Sequence, residues 1–271
     1  MPPLSPSSPA SPLPLPYDAV VGALRAAGCV FAEDEARLIL AAARTPDELA
    51  AMVDRRVTGL PLELVLGWAE FRRLRIAVEP GVFVPRRRTE FLVEQALTTA
   101  PDASVVVDLC CGSGAVGAAL ADALGTRGRI ELHAADIDPA AVRCARRNVA
   151  AYGGQVHTGD LFEALPDSLA GRVGILAANV PYVPTDEVGL LPAEARDHEP
   201  RVALDGGPDG LDVLRRVAAE APRWLAPGGC LLIETSERQA PTALDAFIGS
   251  GLSARLVVSE ELYANVVIGR N

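Results

Sequence analysis

The junction at residues 105–117 restricts the fold of this chain more than any other feature. The β-prone run Val105-Val106-Val107-Asp108-Leu109 is followed by Gly112, Gly114 and Gly117 in G-x-G-x-x-G spacing. A run of small apolar residues then opens a helix at about Ala115. Strand, glycine turn and helix in that order make half of a βαβ unit, and the rhythm recurs downstream. A strand is predicted over 130–135, and Asp138-Pro139 caps the next helix. A short strand follows around Val156, and another over Val173–Ala178. After a long run of turn residues at 179–208, a helix over 211–225 leads to a strand over 230–234 and a helix near 240–249. The β-rich segments 252–259 and 262–269 lie too close together for a crossover helix, so they are expected to form an antiparallel hairpin. The fold class is therefore α/β: a Rossmann-like, mostly parallel seven-stranded sheet with helices on both faces and an antiparallel hairpin at its C-terminal end.

The region before this sheet has a different character. Residues 1–16 are rich in Pro and Ser and are expected to be a disordered tail. A small helical domain is expected over 17–70. Asp18 caps a helix ending at Gly28, and a second helix spans about 34–44. The third opens on Thr45-Pro46-Asp47-Glu48, an N-cap, a first-turn Pro and a capping-box Glu. A hairpin broken by Pro80-Gly81 is expected within a 71–88 linker. Thr89 is expected to cap a helix to about Thr99, at the start of a catalytic domain over 89–271.

Composition removes several kinds of chemistry. All 25 basic residues are Arg. A chain without lysine cannot form a Schiff base, cannot hold phosphates as P-loop enzymes and kinases do, and cannot use a lysine base. The net charge of −10 argues against broad electrostatic binding to nucleic acid. Five cysteines, two of them adjacent (Cys110-Cys111), do not make a disulfide framework and suit a reducing cytoplasm. No apolar run of 18 residues is present, so no membrane span is expected. His133, His157 and His198 show no metal-ligand spacing, and no metal site is expected.

The glycine turn speaks for a ligand that carries a ribose. Glycines at a helix N-terminus let a ligand approach the backbone, and Asp136, at the end of the second strand, can accept from both ribose hydroxyls. The spacing alone suits a nicotinamide dinucleotide or S-adenosylmethionine. Asp108 favours the latter: a carboxylate just before the loop repels a pyrophosphate and attracts a sulfonium and an ammonium group. The terminal hairpin favours it too.

Asn179-Val180-Pro181-Tyr182 follows the fourth strand at the sheet's carboxyl edge, where open α/β sheets bind ligands. An amide or aromatic amine nitrogen is a weak nucleophile because its lone pair is delocalised. The Asn179 side-chain carbonyl and the Val180 backbone carbonyl can together accept both N–H hydrogens and aim that nitrogen, while Tyr182 packs on the planar acceptor. Proximity and orientation then carry the reaction, a contribution of about 7–11 kcal/mol.

Asp108-Leu109-Cys110-Cys111-Gly112-Ser113-Gly114 resembles the first motif of class I methyltransferases, with Cys110 in place of the first glycine. In that likeness Asp108, Cys110, Cys111, Gly112, Ser113, Gly114 and Asp136 hold S-adenosylmethionine. Asp160 and Leu161 either fall at the adenine or form a capped turn with core residues. The turn at 179–182 resembles that of the protein-(glutamine-N5) methyltransferases, which modify peptide release factors, with Val180 in place of a proline. Pro80-Gly81-Val82-Phe83-Val84-Pro85-Arg86, Thr89-Glu90, Glu199-Pro200, Ala203-Leu204-Asp205-Gly206-Gly207 and Asp209-Gly210-Leu211 extend the resemblance. It implies an enzyme with Asn179, Val180, Pro181 and Tyr182 as catalytic residues. Asn179 also touches the cofactor, and Arg86, Thr89, Glu90, Glu199 and Pro200 face the substrate. The N-terminal helical domain then recognises a protein partner, and the enzyme is a cytoplasmic monomer that binds no nucleic acid directly. Arg87-Arg88 stand where the family has a proline and an acid. The alternatives are an adenine-N6 methyltransferase acting on RNA or DNA, a nicotinamide-dependent dehydrogenase, and a non-catalytic cofactor-binding scaffold.

Overall fold

A computed structural model describes residues 16–126 and 128–271. The expected Pro/Ser-rich tail, Pro16 apart, lies outside the described residues. The chain divides after Leu66 into a helical unit and a larger unit, Gly67–Asn271.

The helical unit contains α1 (Tyr17–Ala26), α2 (Ala32–Ala42), α3 (Pro46–Val57) and α4 (Leu62–Leu66). Leu24, Ile39, Leu49 and Met52 meet in its core. The start of α3 follows its sequence closely. The Thr45 hydroxyl accepts from the Glu48 N–H at 3.1 Å, Pro46 occupies the first turn, and two acids there and two arginines in the last turn match the helix dipole. A buried pair ties α2 to α3: Arg56 donates to both carboxylate oxygens of Glu35, at 2.6 and 3.1 Å.

The larger unit opens with a hairpin of β1 (Trp68–Phe71) and β2 (Leu74–Ala77). Its turn is Arg72-Arg73, not the Pro80-Gly81 that the sequence suggests. The pairing of Phe71 with Leu74 leaves a two-residue loop, which requires left-handed backbone at both positions (φ 48° and 66°). Glu90 supports the strained turn: its carboxylate accepts from the Arg72 N–H at 3.0 Å.

The seven-stranded sheet comprises β3 (Val105–Leu109), β4 (Glu131–Asp136), β5 (Gln155–Thr158), β6 (Val173–Ala178), β7 (Leu225–Thr235), β8 (Ser253–Ser259) and β9 (Ala264–Arg270). Their order is β5-β4-β3-β6-β7-β9-β8. The first five strands are parallel, and β9 runs antiparallel between β7 and β8. Helices α5 (Glu90–Thr99), α6 (Ala115–Gly125), α7 (Pro139–Val149), α8 (Ala193–His198), α9 (Asp212–Trp224) and α10 (Ala240–Gly249) complete the unit. Alternation along the strands divides the core in two. Val105, Val107, Leu109 and Leu176 pack with Val217, Trp224 and Phe247 of α9 and α10. Val106, Ile175 and Leu232 pack with Leu92 of α5 and Leu120 of α6.

Three further local expectations are corrected. Asp18 does not cap α1: it lies inside the first turn of that helix, whose N-cap residue is Pro16. Thr89 does not cap α5: a 3-10 turn over Arg87–Thr89 precedes the helix, so Thr89 already has helical backbone and makes no side-chain cap. The stretch at 179–208 is not all loop, since it holds α8 and three-residue and six-residue 3-10 turns. The His133 and His157 rings stack 5.3 Å apart on neighbouring strands, away from the cleft described next. No helix among the described residues is long and apolar enough to cross a membrane.

Candidate active site

Parallel strands end on one edge, and the chain direction diverges between the neighbours β3 and β6. Such a switch point opens a crevice. Here it is a cavity of about 580 Å³. Asp108, Cys110, Cys111, Gly112, Ser113, Asp136, Asp160, Leu161, Asn179, Val180, Pro181, Tyr182, Arg86, Thr89, Glu199 and Pro200 all line it. Two anticipated residues stand apart. Glu90 faces the Arg72 turn, and Gly114 packs against Ala145 of α7.

On the β3–β4 side the carboxylates are fixed by backbone donors. The Gly117 N–H donates to Asp108 Oδ2 at 2.8 Å, across a gap that a side chain at 117 closes: a Cβ there falls 3.1 Å from the same oxygen. Burial pushes the Asp108 carboxyl up to about 8, against the Gly117 hydrogen bond and with help from the Asp136 charge. Asp136 accepts from the N–H groups of Gly112 (2.8 Å) and Asp138 (2.9 Å), and burial raises its pKa as well. Cys110 takes the left-handed conformation, φ 52°, which a glycine at that place adopts freely. The loop thus keeps the glycine geometry at the cost of about 1–3 kcal/mol of backbone strain. Burial raises the thiols of Cys110 and Cys111, which keeps both protonated. Asp160 is paired with Arg216 of α9 at 2.7 Å, and both side chains line the cavity.

On the β6–β7 side the Asn179 turn is held from several directions. Its amide donates to the Thr89 hydroxyl at 3.5 Å, leaving Oδ1 buried without a partner. Buried Gln239 donates to the Tyr182 carbonyl at 2.9 Å. Gly210 approaches that carbonyl so closely that a Cβ falls 2.3 Å from it, which explains the glycine of the Asp209-Gly210-Leu211 motif. Glu199, with a side chain 1% exposed, accepts from the Val84 N–H (3.1 Å) and from Arg86 (2.7 Å). The Arg86 guanidinium lies 4.9 Å over the Phe83 ring.

No sequence motif points to Arg216 or Glu234 as site residues. An acid closing the apolar run 230–234 was the visible signal for Glu234. Its role depends on the register of Ala178 with Ile233, which places it beside Asn179. Arg216 depends on how α9 packs, which no local pattern encodes.

Residues 73–183 match the family described as Methyltransferase small domain. The crystal structure of a methyltransferase from Pyrococcus furiosus superposes with a TM-score of 0.54 at 16% identity, covering 74% of this chain and 90% of that one. The fold is that of class I methyltransferases, whose methyl donor is S-adenosylmethionine. A release factor glutamine methyltransferase of Geobacter sulfurreducens is 41% identical over 211 residues, covering 76% of this chain and 72% of the relative. Its counterpart in Mycolicibacterium smegmatis is 38% identical, covering 80% and 78%. A 4-amino-L-phenylalanine/4-methylamino-L-phenylalanine methyltransferase of Streptomyces pristinaespiralis is 36% identical, covering 73% and 69%. With that identity and coverage, and with the fold of a methyltransferase around the cleft, this chain belongs to the family of release factor glutamine methyltransferases.

Proposed function

We propose that this protein transfers a methyl group from S-adenosylmethionine to the side-chain amide nitrogen of a glutamine in a peptide chain release factor. The observation that carries the reading is Asn179 Oδ1, a buried acceptor without a partner at the mouth of the switch-point crevice. A buried acceptor left unpaired costs about 1–3 kcal/mol, and an incoming N–H offsets that cost.

The residues present fit the donor. Asp136, with both oxygens already oriented by backbone N–H groups, suits a ribose diol. Asp108 suits a positive group, and Asp160 with Leu161 suits an adenine. When bound, S-adenosylmethionine supplies a methyl group made electrophilic by its sulfonium. The rest is done by the chain. Thr89 fixes the Asn179 amide, so that Oδ1 accepts one N–H of the glutamine amide while the Val180 carbonyl accepts the other. Two acceptors on one nitrogen fix its direction and favour pyramidalisation, and Tyr182 packs on the amide plane. As the N–C bond forms at the expense of the S–C bond, leaving a neutral thioether, the nitrogen releases one N–H proton to water. Arg86, Glu199 and Pro200 line the substrate side, and the helical unit over 17–66 recognises the protein partner.

Asn179→Ala is expected to lower kcat by about 10²–10³, as removal of one oriented polar group does elsewhere. Cofactor affinity should change less than threefold by calorimetry. The test incubates the purified protein and labelled S-adenosylmethionine with a release factor, an RNA oligonucleotide and a free aromatic amine, followed by mass spectrometry. Methyl-glutamine in the release factor supports the reading. Label in the adenine or the aromatic amine alone overturns it, as does undiminished turnover by the variant.

A further inference from the structure

Glu234 is the penultimate residue of β7, at the carboxyl edge after Leu232 and Ile233, which are fully buried, and it is itself only 2% exposed. An apolar residue would continue the strand at lower cost, because a buried carboxylate loses several kcal/mol of hydration. Only one of its oxygens is engaged. Oε1 accepts from Arg88 Nε at 3.0 Å and from the Tyr182 hydroxyl at 3.3 Å, whereas Oε2 is buried with no partner. Arg88 also donates to the Tyr182 hydroxyl, and its guanidinium lies 5.8 Å from the centre of the ring. Arg88 comes from the turn before α5 and Tyr182 from the turn after β6, so three distant segments meet at one carboxylate oxygen.

Both partners line the cleft and Glu234 does not. A phenol ring is fixed by packing at its edges and by a hydrogen bond at its tip. The ring's inner end is set by the tightly held backbone of the turn, and its tip depends on Glu234 and Arg88. The Arg88 charge, in turn, is kept beside the ring by the carboxylate. Burial acts against the ionised phenol and the Glu234 charge adds to it, so Tyr182 stays protonated and able to donate.

We propose that Glu234 is a positioning residue for methyl transfer, anchoring the Tyr182 hydroxyl and the Arg88 guanidinium so that the Tyr182 ring stands as a fixed wall of the acceptor pocket. The proposal rests on the Asn179 cleft being the acceptor site. It adds a residue that acts through Tyr182 without touching the substrate.

The experiment compares Glu234→Gln, Glu234→Ala, Tyr182→Phe and the double variant Glu234→Ala/Tyr182→Phe in the full chain. It measures kcat and KM with the release factor, cofactor affinity by calorimetry, and the Tyr182 Cζ resonance with ¹³C-labelled tyrosine, assigned from Tyr182→Phe. The expected result for Glu234→Ala is a kcat lowered at least tenfold and a KM raised several-fold, with cofactor affinity within twofold of the parent. Gln keeps an acceptor oxygen for both donors and should recover at least half of that loss on a logarithmic scale. The double variant should be no worse than the poorer single one. In Glu234→Gln, which preserves size, the Tyr182 resonance should move while those of Tyr17, Tyr152 and Tyr263 stay. Additive losses, or a Tyr182 resonance unchanged in Glu234→Gln, overturn the proposal. If the parent protein does not methylate the release factor, the functional reading fails separately, and the resonance still decides whether Glu234 anchors Tyr182.

Discussion

Asp108 is a carboxyl that the fold holds close to neutrality. Burial first, and the Asp136 charge in addition, raise it from an ordinary value of 3.8 to about 8, while the Gly117 N–H pulls the other way. Between those two values the folded chain holds a proton that the unfolded chain releases. The stabilisation is therefore complete below about pH 4 and is lost as pH rises through 8. A positively charged ligand reverses the preference, because it favours the carboxylate. Cofactor binding is expected to release a proton near neutral pH, with affinity rising by up to about tenfold per pH unit between 6 and 8 and levelling above 8. Calorimetry in buffers of different ionisation heat measures both effects. Asp108→Asn should remove the pH dependence, and a flat profile in the parent would place the carboxylate's ionisation elsewhere.

The elements explain which of these residues were readable in advance. Asp108 and Asp136 lie in the last two positions of β3 and β4, and Asn179 directly follows β6, so strand assignment alone puts the three on one edge. The expected strand over Val173–Ala178 and helix near 240–249 coincide with β6 and α10. The sequence points to Pro80-Gly81 for the hairpin turn because that pair carries a turn's composition. Arg72-Arg73 carries none, and is held in left-handed backbone by Glu90, a contact across 18 residues. Glu234 and Arg216 belong to the same class, since each matters through a partner in another element. Gly117 joins the local and the distant: it lies inside α6, where alanine is the better helix former by about 1 kcal/mol. An added Cβ meets Asp108 and Leu132 at 3.1–3.3 Å. Gly117→Ala is expected to destabilise the protein by about 1–2 kcal/mol despite the gain in helix propensity. Urea unfolding checks this, and a rise in stability would mean that the α6–β3 contact yields easily.

At the scale of the molecule, each of the two units has a core of its own. In the helical unit the Glu35–Arg56 pair is buried, with side chains 9–10% exposed. Glu35→Ala leaves the guanidinium without its carboxylate and should cost that unit about 3–5 kcal/mol. Cofactor affinity, which the proposed site assigns to residues of Gly67–Asn271, should hardly change. Thermal unfolding followed by circular dichroism, alongside calorimetric titration, separates the two effects, and a parallel loss of cofactor affinity would count against this expectation. The sheet carries a different consequence. Its sixth position is filled by β9, which follows every other strand in the chain yet lies between β7 and β8. During synthesis β8 has no place to dock until residues 264–270 have left the ribosome, and β7 meanwhile presents an open edge. The nascent chain therefore passes through a stage in which the cofactor crevice can assemble while the sheet beside it remains exposed to other strands, and this is when the protein is most open to capture by a chaperone or by its own neighbours.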